Sequence, residues 1–416
     1  MISKINPQIS PFNGQKISNK PQKLKENISF GINPTRVAIN GAGGEIGRAI
    51  LNILHGRQFS TDTYRTLIRD FRNLPGQVDV AAINVGNQDR VDTIIEVLKQ
   101  ADSNGRWVTD IKPIVENGEP YILIGKRGEQ KKIHVYGQKD VPHWLNDGID
   151  IVVDSTGHFI NRSGANKHLT QGAKRVLISA PAKYGLDEEP IPSIISGVNY
   201  NTLDLEDTIV SGASCTTNAA SMLLAIINKL FGIKTVALET AHAATNSQSV
   251  LNSSAGAKGK MTLNNIIPTT SGAAKELPKI LPGINFDALL VSSTRVPIDN
   301  VSSLFGAFTL NRKASVKEIQ DILRKLAKSK EARMYVGETP NGSASKDALG
   351  RFENIVFMPD QIHTGAKGKF LTIKVFYDNV NGYTFSLLQT LKHMAAQMQG
   401  IETKRPIISE AMDKIL

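Results

Sequence analysis

Apolar and polar positions follow two different patterns along the chain, and the change between them lies near residue 213. Before it, short apolar runs bounded by turn residues are followed by stretches with helical periodicity, which predicts alternating strands and helices. Alternation of this kind predicts a parallel, doubly wound sheet. The predicted strands cover residues 36–40, 78–85, 121–124, 132–136, 149–153, 173–178 and 208–210, with helices at 48–54, at about 63–72 and from 215 to near 232.

After residue 213 the strand-like runs are longer and mostly separated by wide gaps, at residues 235–239, 288–291, 304–310 and 370–376. Ser315 and Glu318 make a capping-box pair ahead of an apolar stripe with helical spacing, which predicts an amphipathic helix. A final helix is predicted at 385–398. The pattern therefore predicts an α+β domain with a mostly antiparallel sheet in this half.

Length, composition and charge limit the class of protein. A chain of 416 residues is too long for one ordinary core and suggests two domains. Hydrophobic content of 40% and charged content of 21% are typical of soluble globular proteins. The single cysteine, Cys215, excludes an internal disulfide and favours a reducing, cytoplasmic setting. No apolar run approaches the roughly 20 residues that span a bilayer, so no membrane association is expected.

Residues 1–36 differ from the rest of the chain. They are polar and carry six basic side chains against one acid, which is +5 of the total net charge of +11. This composition predicts a disordered basic extension. It lacks the apolar core of a secretory signal, and an organellar transit peptide stays open as an alternative to a plain solvated tail. Few aromatic residues stand among its lysines, so nucleic-acid binding is not indicated.

The first predicted strand runs directly into a glycine-rich turn at residues 41–47, which leads into the first helix. Strand, glycine turn and helix in this order are the context of a dinucleotide-binding fingerprint, in which N–H groups at the helix start hold a pyrophosphate. A plain tight turn is the alternative. The spacing of Gly41, Gly44 and Gly47 favours a Rossmann-type cofactor site, to which Glu45 and Ile46 also belong.

The ends of later strands supply the other candidate cofactor residues. The second strand ends in Val85, where a carboxylate would normally bind the adenosine ribose. Because such a carboxylate repels a 2′-phosphate, its absence makes NADP acceptable, and Arg90 is the candidate to meet that phosphate. Polar turns follow two further strands, at the edge where open α/β sheets bind ligands. Their candidate residues are Ser155, Thr156, Gly157 and Ser179.

The candidate chemistry centres on Cys215, which lies between the predicted strand at 208–210 and a helix. Backbone N–H groups and the helix dipole at such a position favour the thiolate, which is the nucleophilic form. A small buried apolar residue is the alternative for a lone cysteine. His242 ends a later strand and can accept a thiol proton, although a single histidine is more often structural.

Several further stretches together resemble the glyceraldehyde-3-phosphate dehydrogenase family, from Val37 to about Gln397. Their order along the chain makes a chance match improbable. The matching residues are Ser214-Cys215-Thr216-Thr217-Asn218, His242-Ala243 with Thr245, Asn265-Ile266-Ile267-Pro268, Ser271-Gly272-Ala273-Ala274-Lys275, Arg295-Val296-Pro297, Asn300-Val301-Ser302, Tyr377-Asp378-Asn379 and Gly382-Tyr383.

The resemblance implies a reaction. Cys215 would attack an aldehyde to form a thiohemiacetal, with His242 as its base; hydride transfer to NAD or NADP would leave a thioester that inorganic phosphate cleaves. By the same resemblance, the substrate phosphate is bound by Arg295, Thr245 and Ser247, and the attacking phosphate by Ser214, Thr216, Ser271 and Gly272. Asn379 and Tyr383 correspond to residues beside the nicotinamide. No metal is implied, and a homotetramer is expected.

The chain also departs from the family pattern. The glycine turn is one residue longer, Glu45 lies near a usually basic position, Gly212 replaces an asparagine, and Lys260 stands where the family has an arginine. Lysine cannot make the two-pronged phosphate contact that arginine makes. Two other functions therefore stay open: a dehydrogenase of another phosphorylated aldehyde, such as erythrose 4-phosphate, or one that releases free acid, and a catalytically slow paralogue that binds polyanions.

The expected organisation follows from these assignments. Residues 37–213 form an NAD(P)-binding Rossmann domain and residues 214–380 a catalytic domain. Residues 381–416 hold a C-terminal helix that packs back on the Rossmann domain, followed by a tail.

Overall fold

The computed structural model describes residues 33–55, 62–99, 110–125, 128, 130–185, 187–245, 261, 264–284, 286–402 and 407–415. These residues form two β-sheets and the helices that cover them. Most of the predicted extension lies outside the described residues. The first strand begins at Thr35, two residues before the predicted start of the first domain.

The first sheet is built from eight strands of the amino-terminal half. They are β1 (Thr35–Asn40), β2 (Val78–Asn84), β3 (Ile111–Glu116), β4 (Glu119–Ile124), β5 (Lys131–Tyr136), β6 (Ile151–Asp154), β7 (Arg175–Ile178) and β8 (Ile209–Ser211). Their order across the sheet is β3-β4-β5-β2-β1-β6-β7-β8. The helices of this half are α1 (Glu45–His55), α2 (Asp62–Arg72), α3 (Gln88–Lys99) and α4 (Arg162–Thr170).

The strand order confirms the predicted doubly wound sheet. The chain adds strands on one side of β1 and then returns to add β6 on the other, so the order reverses between β1 and β6. Ligands of open α/β sheets bind in the crevice at such a reversal, beyond the carboxyl ends of the strands. The glycine turn after β1 and the polar turn after β6 meet at this crevice.

One edge of this sheet differs from the prediction. Across the sheet, the strands in the order β5-β2-β1-β6-β7-β8 pair in parallel. At the edge, however, β3 pairs antiparallel with β4, and β4 pairs antiparallel with β5. Asn117 and Gly118 join β3 to β4 with φ of 54° and 86°. An Asn-Gly pair in the left-handed region is the preferred two-residue hairpin turn. This dipeptide was the sequence signal for β3, which the apolar pattern missed.

The second sheet is built from seven strands of the carboxyl-terminal half. They are β9 (Ile233–Ala243), β10 (Ile267–Thr269), β11 (Ala288–Val296), β12 (Ser302–Leu310), β13 (Val336–Glu338), β14 (Ile355–Gly365) and β15 (Phe370–Tyr377). They lie in the order β10-β11-β9-β12-β15-β14-β13. Only the β9–β11 and β13–β14 pairs are parallel, which confirms the prediction of a mostly antiparallel sheet.

The helices of this half are α5 (Cys215–Phe231), α6 (Ala273–Ile280), α7 (Val316–Lys328), α8 (Asn381–Met398) and α9 (Ile408–Ile415). Ser315 caps α7 as predicted, since its hydroxyl accepts from Glu318 N at 3.2 Å. The Glu318 carboxylate accepts hydrogen bonds from Arg312. None of the helices in the described part of the chain is long and apolar enough to cross a membrane.

Two buried helices join the halves of the molecule. Helix α5 packs against β9 and β12 of the second sheet and against α6, α8 and α9. Helix α8 packs against α1, and Lys392 on α8 donates to the carbonyls of Phe71 and Arg72 at the end of α2, each at 3.2 Å. The glycine turn and the cysteine therefore both lie beside one continuous packed core.

Candidate active site

The turn between β8 and α5 places Cys215 at the first position of the helix. Ala213 adopts a φ of 55°, which is uncommon for a residue with a side chain and marks a sharp, strained turn. Ser214 caps the helix, because its hydroxyl accepts from Thr217 N at 3.0 Å. The strand-to-helix turn thus holds the thiol at the amino end of a long buried helix.

His242 lies against this thiol. It stands near the end of β9, and its Nε2 is 3.2 Å from Cys215 Sγ. Its Nδ1 lies 2.7 Å from the carbonyl of Ala243, and in the tautomer that carries the proton on Nδ1 the Nε2 atom can accept from the thiol. The pair of residues, 27 positions apart in the chain, has the geometry of a nucleophile and its base.

Arg295 completes the cluster through the register of the second sheet. Strands β11 and β9 pair in parallel with Arg295 opposite His242. Its Nη1 contacts His242 Nδ1 and donates to Ala243 O at 2.9 Å. A guanidinium therefore lies on the far side of the imidazole from the thiol, where it can also bind a substrate anion.

Burial decides the protonation of this pair. It raises the pKa of the Cys215 thiol to about 11, an effect that the positive charge of Arg295 opposes. Burial and, after it, the positive charge of Arg295 together lower the pKa of His242 to about 4. Part of Cys215 stays exposed to solvent, which limits the cost of ionising it. Without ligands, the site holds a neutral thiol and a neutral imidazole, whereas the helix start alone predicted a thiolate.

Tyr377 also belongs to this site. In the sequence it was noted only as part of the stretch Tyr377-Asp378-Asn379. Its buried hydroxyl lies 3.0 Å from the Thr216 hydroxyl and 2.7 Å from that of Thr240, and its ring meets His242 edge-on. Burial raises its pKa, so the phenol is neutral. Tyr377 therefore bridges the start of α5 and β9, which carry the thiol and the base.

The predicted phosphate-binding residues are placed as follows. Ser214 and Thr216 flank Cys215, with Thr216 buried and bonded to Tyr377. Ser271 and Gly272 form the turn between β10 and α6, where the Ser271 hydroxyl accepts from Ala273 N at 3.2 Å. Thr245 follows the end of β9. Ser247 and Lys260 lie outside the described residues, as does most of the loop that contains them.

The predicted cofactor turn has the shape that a dinucleotide requires. Gly41 has a φ of 88°, and a Cβ there would lie 3.0 Å from the backbone of Ser155 and Thr156. A Cβ on Gly47 would overlap the Gly41 carbonyl. Helix α1 begins at Glu45, directly after the glycine turn, and the start of a helix is where backbone N–H groups bind phosphate oxygens. The residues present therefore fit a dinucleotide.

The turn adds an acid to this cradle. Glu45 and Ile46 occupy the first turn of α1, and Gly44 N donates to Gly41 O at 3.0 Å. Both side chains are partly exposed. Acids in a first helical turn are favoured by the helix dipole, but a carboxylate close to a pyrophosphate is unfavourable unless it points away.

The remaining cofactor candidates lie on either side of this turn. Val85 follows β2 with a buried side chain, and Arg90 lies exposed in the first turn of α3. Within the part of the chain that the structure describes, the Arg90 guanidinium has no carboxylate partner. Ser179 N donates to Asp154 O at 2.8 Å, next to the Ser155–Gly157 turn.

The two residues assigned to the nicotinamide connect with the catalytic turn. Tyr383 on α8 donates its hydroxyl to Ala213 O at 3.1 Å, and burial raises its pKa. Asn379 Oδ1 accepts from the Ser302 hydroxyl at 3.2 Å, and that hydroxyl accepts from Ala243 N. Both residues are thus tied to the backbone beside Cys215 or His242.

Comparison with known proteins agrees with this geometry. The family model for the C-terminal domain of glyceraldehyde 3-phosphate dehydrogenase matches residues 214–379. The glyceraldehyde-3-phosphate dehydrogenase of Chlamydia trachomatis serovar D is 32% identical over 367 residues, which is 86% of this chain and 98% of the relative. Glyceraldehyde-3-phosphate dehydrogenase 3 of Saccharomyces cerevisiae is 30% identical over 368 residues, 86% of this chain and 99% of the relative.

A plant relative gives the same result. The cytosolic glyceraldehyde-3-phosphate dehydrogenase of Pisum sativum is 30% identical over 369 residues, which is 87% of this chain and 98% of the relative. Similarity over nearly the whole length of each relative covers both sheets. The resemblance inferred from the motifs is therefore confirmed: this chain is a divergent member of the glyceraldehyde-3-phosphate dehydrogenase family of NAD(P)-dependent oxidoreductases.

Proposed function

We propose that this protein oxidises glyceraldehyde 3-phosphate with inorganic phosphate to 1,3-bisphosphoglycerate, with NAD or NADP as the hydride acceptor. The observation that carries the proposal is the 3.2 Å approach of Cys215 Sγ to His242 Nε2, with Arg295 against the other side of the imidazole. This arrangement places a nucleophile, a base and an anion-binding cation at one point.

The first step belongs to Cys215 and His242. As Sγ attacks the aldehyde carbon, the thiol proton moves to His242 Nε2 and then to the former carbonyl oxygen, which gives the thiohemiacetal. A substrate phosphate beside Arg295 offsets the charge that lowers the pKa of His242, which makes this proton transfer easier. Substrate binding therefore activates the nucleophile, while the free enzyme keeps its thiol protonated.

The second step again uses His242, whose Nε2 takes the hydroxyl proton of the thiohemiacetal. A nicotinamide bound here would accept the hydride, and the aldehyde carbon becomes a thioester on Cys215. Inorganic phosphate then attacks that carbon, the carbon–sulfur bond breaks to release the acyl phosphate, and His242 returns its proton to the sulfur. Ser214 and Thr216 beside the thiol, with Ser271 and Gly272, are the residues proposed to hold the attacking phosphate, since hydroxyl and amide groups suit phosphate oxygens.

Cofactor preference is proposed to depend on Arg90. The end of β2 carries buried Val85 in place of a ribose-binding carboxylate, and the exposed Arg90 guanidinium lies 4.0 Å from a Cβ placed on Gly86, the next residue. Arg90→Gln should lower kcat/KM for NADP by about 10–100-fold and leave that for NAD unchanged, because a charged hydrogen bond contributes roughly 1.5–3 kcal/mol. Lys99→Gln, which removes a charge from the far end of α3, is the matched control. Equal losses with both cofactors would exclude this role.

The second sheet offers the surface for assembly of identical copies. On its outer face, Leu290 is 67% exposed and Phe305 is 37% exposed, with exposed Ala237 on the strand between them. Contiguous exposed apolar side chains of this kind mark association surfaces. We propose that the homo-oligomer forms through this face, and Leu290→Asp should lower the mass measured by light scattering.

The experiment that tests the proposed reaction is one assay with glyceraldehyde 3-phosphate, NAD or NADP, and inorganic phosphate. Omission of phosphate should abolish sustained turnover in the wild-type protein, and Cys215→Ala should be inactive under all conditions. Turnover that needs no phosphate would point to release of free acid. Preference for erythrose 4-phosphate in the same assay would change the substrate, and absence of turnover with every aldehyde would overturn the proposal.

A further inference from the structure

A row of buried polar side chains crosses the first sheet beneath the cofactor crevice. In the register of the sheet, Asn84 lies opposite Asn40, and Asn40 lies opposite Asp154. These are the last residues of β2, β1 and β6. Asn84 Nδ2 donates to Asn40 Oδ1 at 2.8 Å, and Asn40 Nδ2 donates to Asp154 Oδ2 at 2.7 Å. All three residues are at most 2% exposed.

Two further buried residues extend the row behind Asp154. Trp144 Nε1 lies 3.0 Å from His168 Nδ1, and His168 Nε2 lies 3.2 Å from Asp154 Oδ2. Because an indole N–H can only donate, His168 Nδ1 must accept and the imidazole proton must sit on Nε2. Trp144 therefore fixes the tautomer in which His168 donates to the carboxylate.

The other side of Asp154 faces the cofactor loops. Its Oδ1 accepts from Thr156 N at 3.1 Å and from the Thr156 hydroxyl at 2.8 Å. The first residue after β6, Ser155, donates its N–H and its hydroxyl to Asn40 O, each at 2.8 Å. One carboxylate and one asparagine thus connect the glycine turn after β1 to the Ser155–Gly157 turn after β6.

The position of each residue in the row is informative. Asn40 immediately precedes Gly41, Asn84 precedes Val85, and Asp154 precedes Ser155. Each row residue is therefore joined by one peptide bond to a turn assigned to the cofactor. A change at any of them is therefore expected to act on the loops that line the crevice.

Stability alone does not explain such a row. A buried carboxylate is costly unless every lone pair is satisfied, and apolar residues of similar volume would pack as well. Asp154 is satisfied by four donors, from Asn40, His168 and Thr156. We propose that Asp154 and His168 are positioning residues for the dinucleotide: they set the spacing between the two turns that enclose its pyrophosphate. The inference rests on the proposed cofactor site.

The test compares two variants of His168. His168→Leu removes the donor to Asp154, whereas His168→Gln keeps an amide that can donate to Asp154 and accept from Trp144. NADH and NADPH are titrated into the full-length protein, and binding is followed by the fluorescence of the reduced nicotinamide. His168→Leu should weaken binding about 10–50-fold and leave kcat at saturating cofactor within about threefold, since it leaves a buried carboxylate with one donor fewer. His168→Gln should bind within about threefold of wild type.

A control for stability accompanies the pair. Leu98→Ala creates a cavity under α3 in the same domain, away from the row. It should lower the melting temperature with unchanged cofactor affinity. Asp154→Asn is a second, isosteric variant and should weaken cofactor binding by about tenfold or more, because its amide cannot accept all four donors.

The outcomes separate the inference from the proposed function. If the wild-type protein binds neither dinucleotide, the cofactor site itself is wrong. If wild type binds and His168→Leu and Asp154→Asn bind equally well despite lower melting temperatures, the row is only structural and the inference is overturned. Equal loss in His168→Leu and His168→Gln would also overturn it, because the donor to Asp154 would then not be the cause.

Discussion

Two strand-to-helix turns lie at the centre of the proposed chemistry, and they differ in what each of them presents. The turn from β1 to α1 depends on absent side chains, since a Cβ on Gly41 or Gly47 would meet backbone atoms. The turn from β8 to α5 depends on support from other elements. Tyr383 donates to Ala213 O, and Asn218 Nδ2 donates to Gly212 O at 2.9 Å.

The difference follows from what each turn presents. A diphosphate is held by backbone N–H groups at a helix start, so side chains that block their approach are excluded. A nucleophile is presented as one side chain, so its turn can be strained and is held in place by α8 and α5. Damage to the first turn should therefore act on cofactor affinity, and damage to the second on the reaction of the thiol.

The largest expected effect concerns the base. His242→Asn should lower kcat by about 10²–10⁴-fold, because the thiol loses the group that accepts its proton. Cofactor affinity should stay within about twofold of wild type, since His242 lies beside the turn from β8 to α5 and not beside the glycine turn. Steady-state kinetics and NADH titration measure the two quantities. A parallel loss of cofactor affinity would show that the two turns are not functionally separate.

The next effect concerns the cofactor turn. Gly47→Ala should raise the cofactor Kd by about 100-fold, because the added methyl group overlaps the Gly41 carbonyl and displaces the turn. Alkylation of Cys215 by iodoacetamide should proceed at the wild-type rate. Gly283→Ala is the matched control, since a Cβ there meets nothing within 4 Å. Unchanged cofactor binding in Gly47→Ala would show that the glycine turn does not hold the cofactor.

The rate at which the Cys215 thiol is alkylated should depend on pH. With its pKa raised to about 11, Cys215 is a thiol at neutral pH and becomes a thiolate only as pH rises. The iodoacetamide rate of the free enzyme should therefore increase about tenfold per pH unit from pH 7 to 9, without a plateau. A rate that is constant between pH 6 and 8 would instead indicate a preformed thiolate and imidazolium pair.

The smallest effect concerns the support of the catalytic turn. A Cβ on Gly212 would overlap Leu387 Cδ1 on α8, and the Tyr383 hydroxyl lies 3.3 Å away. Gly212→Ala should lower the free energy of unfolding by about 1–3 kcal/mol, the usual cost of overpacking. Adding Leu387→Val should recover part of that loss in chemical denaturation. A second substitution that only deepens the loss would mean that backbone strain, and not the contact with Leu387, is the cause.

The sequence revealed most of the fold, because period-two and helical apolar patterns are local. It found Cys215 and the glycine turn for the same reason, since each lies within one strand-turn-helix unit. It missed β3, whose only sharp signal was Asn117-Gly118, and in the second sheet it missed β10, β13 and β14. Pattern reasoning could not place Arg295 against His242, because that contact depends on the register of β11 with β9.

The contacts of the polar residues beneath both turns could not be predicted either, because they depend on the register of strands that are far apart in the chain. The row from Asn84 to Asp154 exists only because three strands end at the same level of the first sheet. Tyr377 reaches Thr216 and Thr240 from β15, and these two partners lie 161 and 137 positions away from it in the chain. Burial is a property of the whole fold as well, so the raised pKa of Cys215 could not be read from its helix position.

The most direct test of the central claim is to trap the intermediate on Cys215. The protein is mixed with glyceraldehyde 3-phosphate and its preferred cofactor in phosphate-free buffer, quenched in acid, and digested for mass spectrometry. If the proposed thioester forms, an acyl adduct is expected on the peptide that contains Cys215. This adduct should disappear when inorganic phosphate is added before the quench. Reduced cofactor produced without this adduct, or an adduct on any other residue, would contradict it.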